Sequence, residues 1–265
     1  MSTLQDYRQI ARNQDRYDSM IRARPDVKRD IEYFQANIGK VTSVDDLMKD
    51  DKLYRFVMEA FDLGSQIYAR GLIRKVLEQG VTDDSALANR MSDTKFKEMA
   101  TVLGLHETGG APLREPQIVQ AIVDRYAEVK LEVSTEDRNP AVRLALYFQR
   151  KAPTINNWYQ VLADRALQKV VFTALDIPEQ AALGDLDRLV DKLKKWFDIA
   201  DFKDAGKTQK FLDRFSAMYD MRNGAPSGSA TANIPYMEPV RAGRRPSIIS
   251  IDPSITLSLL RFPKF

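Results

Sequence analysis

The chain has 265 residues, of which 44% are hydrophobic and 29% charged, with no cysteine and a single histidine, His106. This balance fits one large or two small globular domains, while the absent cysteines remove disulfides, thiol catalysis and thiolate metal sites, and one histidine forms neither a metal pair nor a proton relay. The net charge of +3 is unevenly held: Arg222–Phe265 carries six basic and two acidic residues against 34 and 35 in the rest, so the body lacks the basic excess of a nucleic-acid binder.

The start, MSTLQDYRQIARNQDRYD, is polar and has no apolar core of a secretory signal. No apolar run approaches the roughly 18 to 20 residues that span a bilayer. A cytoplasmic protein without a transmembrane segment is expected, with basal-body association or export without a cleaved signal as the exception.

In chain order, Leu4–Ile21 reads as one polar, tyrosine-rich amphipathic helix whose Tyr7, Ile10, Tyr17 and Ile21 face either the body or a partner. A second helix runs from Asp26 to Ile38 behind Pro25, a residue tolerated at helix starts. LMKDDKLYRFVMEAFDL, Leu47–Leu63, then places Leu53, Phe56, Val57, Ala60 and Phe61 at helical spacings of three and four behind Asp50, a helix cap. VLADRALQKVVFTALDI, Val161–Ile177, repeats it without a gap: Asp164 aligns with Asp50, Leu167 with Leu53, Val171 with Val57, Ala174 with Ala60 and Asp176 with Asp62. A looser version has Asp93 before Phe96, Met99, Ala100 and Leu103 and stops at Gly104.

Short runs before each aspartate, Val44–Lys49, Ser85–Ser92 and Asn157–Ala163, also read as helical, so the unit is a helix–turn–helix corner. An amphipathic helix follows each outer copy, marked by Ile67, Leu72, Ile73, Val76 and Leu77 and by Leu189, Val190, Leu193, Trp196 and Phe197. Further helices cover Glu115–Val133, the segment opened by Pro140, and the run with Phe211, Leu212, Phe215 and Met218. The glycine- and proline-rich HETGGAPLREP, His106–Pro116, reads as a loop joining two halves. The expected fold is all-α and multihelical, with an internal duplication and an irregular tail: residues 1–110, residues 111–222, and a basic, apolar tail over 223–265.

Motifs with chemical meaning fail on spacing. AGKT, Ala205–Thr208, echoes a phosphate loop, but Asp201 stands where that loop needs a glycine and the context is helical. DIADFKD, Asp198–Asp204, lacks the alternating ligands and the twelfth-position glutamate of a calcium loop; helix capping is the expected use, as for Thr82–Ser85. His106 reads as a surface or capping residue, and Trp158, Tyr159 and Trp196 as core. No catalytic residue, metal ligand or cofactor site is assigned. In the tail, Arg244 and Arg245 precede Ile249, Ile255, Leu257, Leu259 and Phe262, with a strand-like alternation over Ile255–Leu259. The tail reads either as disordered or docked on its own domain, or as a peptide that recognises a protein partner by adding a strand to its sheet, with a membrane surface a weaker third reading; these seven residues are the candidate partner contacts.

RPDVKRDIEYFQANIGKVTSVDDLMKDDKLYRFVMEAFDL, IYARGLIRKVLEQGVTDDSALANRMSD and NPAVRLALYFQRKAPTINNWYQVLADRALQKVVFTALDIP resemble an alphaproteobacterial family, domain of unknown function 1217. The likeness runs from about Gln5 to Met221. The resemblance implies a helical fold and, because many members are encoded beside flagellar genes, a role in flagellar assembly or motility. It transfers no catalytic residue. The expected function is a non-enzymatic interaction or assembly factor with a flagellar protein partner and no nucleic acid; the alternatives are an exported structural or rod-associated component, and an enzyme with an unrecognised carboxylate site.

Overall fold

Ser2 opens the first helix with a reciprocal cap, its hydroxyl accepting from the Gln5 amide while the Gln5 side chain accepts from the Ser2 amide. In the computed structural model, which describes residues 2–224, the described residues are helical and contain no strand. Helix α1 (Thr3–Arg12) ends at Asn13, and α2 (Gln14–Arg22) follows, so the single helix expected over Leu4–Ile21 is two. The Asn13 side chain donates to the Gln9 carbonyl at 2.8 Å, the local bond with which asparagine competes against a continuing helix. Tyr7, Ile10 and Ile21 are buried against the body and Tyr17 packs on it.

Helix α3 (Pro25–Asn37) leads through a 3₁₀ turn to α4 (Val44–Lys49), α5 (Asp51–Ala60) and α6 (Arg70–Gln79). Next come α7 (Leu87–Arg90), α8 (Thr94–Leu103) and α9 (Leu105–Thr108). The helix expected over Ser85–Ser92 is only the four-residue α7, because Asp83 accepts from the Ser85 amide and Asn89 donates back to the Val81 and Asp83 carbonyls, holding a turn instead. The His106–Pro116 segment is folded rather than a plain loop: α9 and a 3₁₀ turn over Ala111–Arg114 seat Leu113 in the core. Gly110, at φ +70°, passes so close to α3's 3₁₀ extension that a Cβ would lie 2.8 Å from the Val41 carbonyl.

The chain continues with α10 (Pro116–Glu136), α11 (Pro140–Lys151), α12 (Trp158–Ala163), α13 (Arg165–Ala174), α14 (Leu186–Trp196) and α15 (Ala205–Asn223). The repeated sequence folds the same way twice, at a constant offset of 114 positions that takes Asp50 to Asp164 and Asp62 to Asp176. Asp50 Oδ1 accepts from the amides of Lys52 and Leu53, and Asp164 Oδ1 from those of Ala166 and Leu167. At the other end, Asp62 and Asp176 adopt φ of +58° and +59°. The Leu63 and Ile177 amides reach back to the Met58 and Phe172 carbonyls, both at 2.8 Å, closing a left-handed helix stop. The third, looser version also ends on a left-handed residue, Gly104 at φ +55°, one position earlier and closed by its own amide on the Ala100 carbonyl.

Packing interleaves the two units. Helix α10 lies against α2, α3, α5 and α11, whereas α15 lies against α1, α11 and α13. The first helix of the chain thus covers the second unit: the Thr3 amide donates to Asp220, Tyr7 donates to Gln149 and Gln209, and Arg8 pairs with Asp213. Buried apolar residues of both units form one connected cluster, with Phe34, Phe56 and Tyr126 stacked in the first and Phe148 packed on Phe202 and Phe211 in the second. Trp158 joins this core, but Tyr159 and Trp196 do not: they are 50% and 54% exposed. Tyr159 is turned outward by its hydroxyl, which donates to Asp187 on α14. Trp196 sits at the last helical position of α14, beyond the Leu189, Val190 and Leu193 stripe.

The two left-handed aspartates differ in burial, since the Asp62 side chain is 10% exposed and paired with Arg150 whereas Asp176 is 64% exposed and paired with Arg222. Asp176→Gly is expected to change stability by less than about 1 kcal/mol, relief at positive φ offsetting a looser unfolded chain. Asp62→Gly is expected to cost roughly 3 kcal/mol, because a buried guanidinium loses a partner. Urea denaturation of the two variants checks the contrast.

Candidate functional site

Each corner aspartate has a second carboxylate oxygen left over from capping, and in each unit a tyrosine from the preceding long helix takes it. Tyr33 donates to Asp50 Oδ2 at 2.7 Å, and Tyr147 donates to Asp164 Oδ2. The tyrosines stand at the same 114-residue offset as the aspartates, within the identical tripeptides Tyr33-Phe34-Gln35 and Tyr147-Phe148-Gln149. Carrying the alignment upstream of Leu47 would have found this pair in the sequence.

Beside each pair lies a cleft. The first, of about 650 Å³, includes Tyr33, Asn37, Val41, Asp50, Lys52 and Leu53 in its wall. The second, of about 420 Å³, includes the matching Tyr147, Lys151, Ile155, Asp164 and Leu167. They differ in one respect. The first turns of α8 form the far wall of the second cleft, through Thr94, Lys95, Lys97 and Glu98. Lys95 Nζ lies 3.1 Å from Asp164 Oδ2 and 5.5 Å from the centre of the Tyr147 ring. In the first cleft an own-helix lysine, Lys52, lies 4.7 Å from the centre of the Tyr33 ring instead.

Behind the second cleft a charge network runs into the interior. Lys151 pairs with Glu98 at 3.2 Å and Asp62 at 3.8 Å, and Arg125 also reaches Glu98. Arg150 makes a two-pronged contact with Asp62, at 3.1 and 2.9 Å, and another with Glu132, at 2.6 and 2.9 Å. Burial works to lower the Arg150 guanidinium, but the Glu132 and Asp62 carboxylates outweigh it and hold it above its ordinary value. Burial pushes Glu132 up, opposed by Arg150 and aided by Asp62 and Glu128. Burial also works to raise Asp164 and Glu98. For Asp164 the Lys95 ammonium and the Tyr147 hydroxyl prevail, and for Glu98 Lys151 and Arg125 do, holding both below the usual carboxylate range. These groups neutralise one another and brace helices.

The other sequence candidates take structural places. Asp198 and Asp204 cap the helical turn over Ile199–Lys203 and α15, and Thr208 donates to the Phe202 carbonyl inside the AGKT stretch. His106 is exposed on α9. Among the described residues no group of three or more His, Cys, Asp and Glu side chains is placed to hold a metal, and no helix is long and apolar enough to cross a membrane. Arg244, Arg245, Ile249, Ile255, Leu257, Leu259 and Phe262 lie outside the described residues.

A family model described as protein of unknown function, DUF1217, matches residues 60–208, which include the second cleft, α8 and most of the network. The chain belongs to the DUF1217 family. A crystal structure of an Agrobacterium tumefaciens protein, determined as a structural-genomics target, is similar to this DUF1217 chain: it is 36% identical, with a TM-score of 0.77 over 84% of this chain and 97% of that one. No curated protein matches it.

Two measurements bear on the network. Arg150→Met leaves Glu132 buried without its cation and Asp62 with only the more distant Lys151, and is expected to cost roughly 3–5 kcal/mol, read by urea denaturation. Asp164 and Glu98, with folded values below their unfolded ones, contribute stability above about pH 4 that is lost as pH falls through the folded values, because the unfolded chain then binds more protons. Asp164→Asn is expected to flatten the acid limb of the stability curve below about pH 4 relative to the parent.

Proposed function

We propose that this DUF1217 protein is a non-enzymatic, cytoplasmic interaction or assembly factor of the bacterial flagellum or motility system, built from two matching helical units whose corner clefts seat helices. The observation that carries the binding part is the second cleft, where the first turns of α8 dock through Lys95 onto Asp164 and Tyr147. A corner that draws a helix start of its own chain alongside, through one lysine, has the chemistry to do the same for another. The buried ionisable groups are engaged with one another, which favours a scaffold over general acid–base chemistry. The flagellar assignment rests on the frequent placement of family members beside flagellar genes, and the tail from Arg244 to Phe262 is proposed as a second contact.

The test uses a native flagellated strain carrying either the full chain or one ending at Gly224. The shortened protein is expected to retain its helical circular dichroism while the strain swims poorly. Affinity capture is expected to recover flagellar proteins with the full chain. Normal swimming by the shortened strain removes the tail from the proposal. Absence of flagellar proteins from both captures overturns the flagellar assignment.

A further inference from the structure

One inserted segment reaches only one of the two clefts. Between α6 and α10 the chain runs through α7, α8 and α9, whereas between α14 and α15 it makes only the turn over Ile199–Lys203. The inserted α8 follows the first unit and packs on α6, yet its first turns lie against the cleft of the second unit. Among the described residues the first cleft has no counterpart of α8, and its lining comes from Tyr33 to Leu53 alone.

The open cleft keeps the features that α8 uses. In the second cleft the occupant offers an aspartate-capped helix start, with Asp93 Oδ1 accepting from the Lys95 amide, and it places Lys95 over the tyrosine and against the aspartate. Tyr33, Asp50, Val41 and Leu53 reproduce Tyr147, Asp164, Ile155 and Leu167 at the 114-residue offset. Asp50 uses one oxygen on its own helix and the other on the Tyr33 hydroxyl, as Asp164 does. Among the described residues it has no ion pair to match Lys95–Asp164. The offset places Ala166 where the first unit has Lys52. That exchange is informative. The small alanine leaves the Tyr147 ring open to an incoming lysine, whereas in the first unit Lys52 covers the Tyr33 ring itself. Lys52 is exposed and Asp51 beside it is drawn away to Arg70, so Lys52 is held by the ring and by a longer-range attraction to Asp50, without an ion pair, a weak hold at an exposed site.

We propose that the open cleft of the first unit is a docking site for the N-terminal turns of a helix in a partner protein, one that carries a lysine at its second helical position as α8 carries Lys95, and that Lys52 is a mobile cover which this lysine displaces. Recognition is then by charge and ring contact together: the incoming ammonium meets the Asp50 carboxylate and the Tyr33 ring, above a floor closed by the buried Val41 and Leu53. This deepens the reading of the protein as an interaction factor and rests on it, but it does not depend on which system the partner belongs to.

The probe is a synthetic peptide of residues 91–104 of this chain, held helical by a side-chain staple outside its first turn and labelled for fluorescence anisotropy against the purified full-length protein. The expected result is saturable one-to-one binding. A peptide with Lys95→Ala is expected to bind at least about tenfold more weakly, since a close charge pair is lost. In the protein, Asp50→Asn keeps an oxygen to cap α5 and removes the charge, and it is expected to weaken binding by a similar factor. Tyr33→Ala serves as a second variant that leaves the Asp50 cap of α5 untouched, removes the ring, and is also expected to weaken binding. Lys52→Ala makes the first cleft resemble the second and is expected to tighten binding about threefold, the reverse of the effect of losing a direct contact. No binding by the parent protein overturns the inference. Binding insensitive to Asp50→Asn but lost in Asp164→Asn places the peptide in the seat of α8 and also overturns it. Weaker binding in Lys52→Ala overturns the displaced-cover part, making Lys52 a contact. A failure here with flagellar proteins still recovered by the full chain leaves the broader function standing, through another surface.

Discussion

The guanidinium of Arg150 is the point on which the two units depend. It grips the left-handed corner of the first unit through Asp62 and the end of the longest helix through Glu132, while its own helix belongs to the second unit. Three helix systems therefore meet at one buried cation. Such a cluster adds little net stability over an apolar core of equal volume, but each member becomes costly to remove once the others are buried. Its value is geometric. A planar fork with two carboxylates fixes the angle between α10 and α11, and through Lys151 and Glu98 the same network reaches α8.

That geometry explains why aspartate holds the left-handed stop at position 62. Glycine is the residue with least strain there, and Gly104 fills the matching place at the end of α8. The carboxylate of Asp62 is needed to meet Arg150, so the backbone accepts an unfavourable angle in exchange for a charge partner. At Asp176 the same angle serves a surface pair with Arg222, where the return is smaller. Two units with one local design have thus diverged in what their ends do, one bound into the interior and one at the surface.

The same divergence governs the clefts. The residues that make a cleft are short-range, a capping aspartate and a tyrosine from the preceding long helix, and so both units have one. What stands opposite is long-range. In the second unit it is α8, and in the first no described element stands there and Lys52 lies over the ring.

Helical class, the amphipathic stripes, the caps at Asp50 and Asp164 and the stop at Gly104 were legible in the sequence by itself, because each arises among residues within about four positions of one another, where side-chain spacing and hydrogen-bonding chemistry act directly. The Tyr–Asp pairs leave a trace there as well, in the Tyr-Phe-Gln that both units share at the same offset. The break at Asn13, the shortness of α7 and the exposure of Tyr159 and Trp196 were not legible, since a stripe of apolar residues does not say which side of a helix another element will cover. Only the tertiary structure decided that α1 crosses to the second unit, where Thr3 meets Asp220 across 217 positions, that Arg150 meets Asp62 across 88, and that α8 walls one cleft and not the other. Contacts of that span are chosen by burial and charge pairing in the assembled core, and local periodicity carries no record of them.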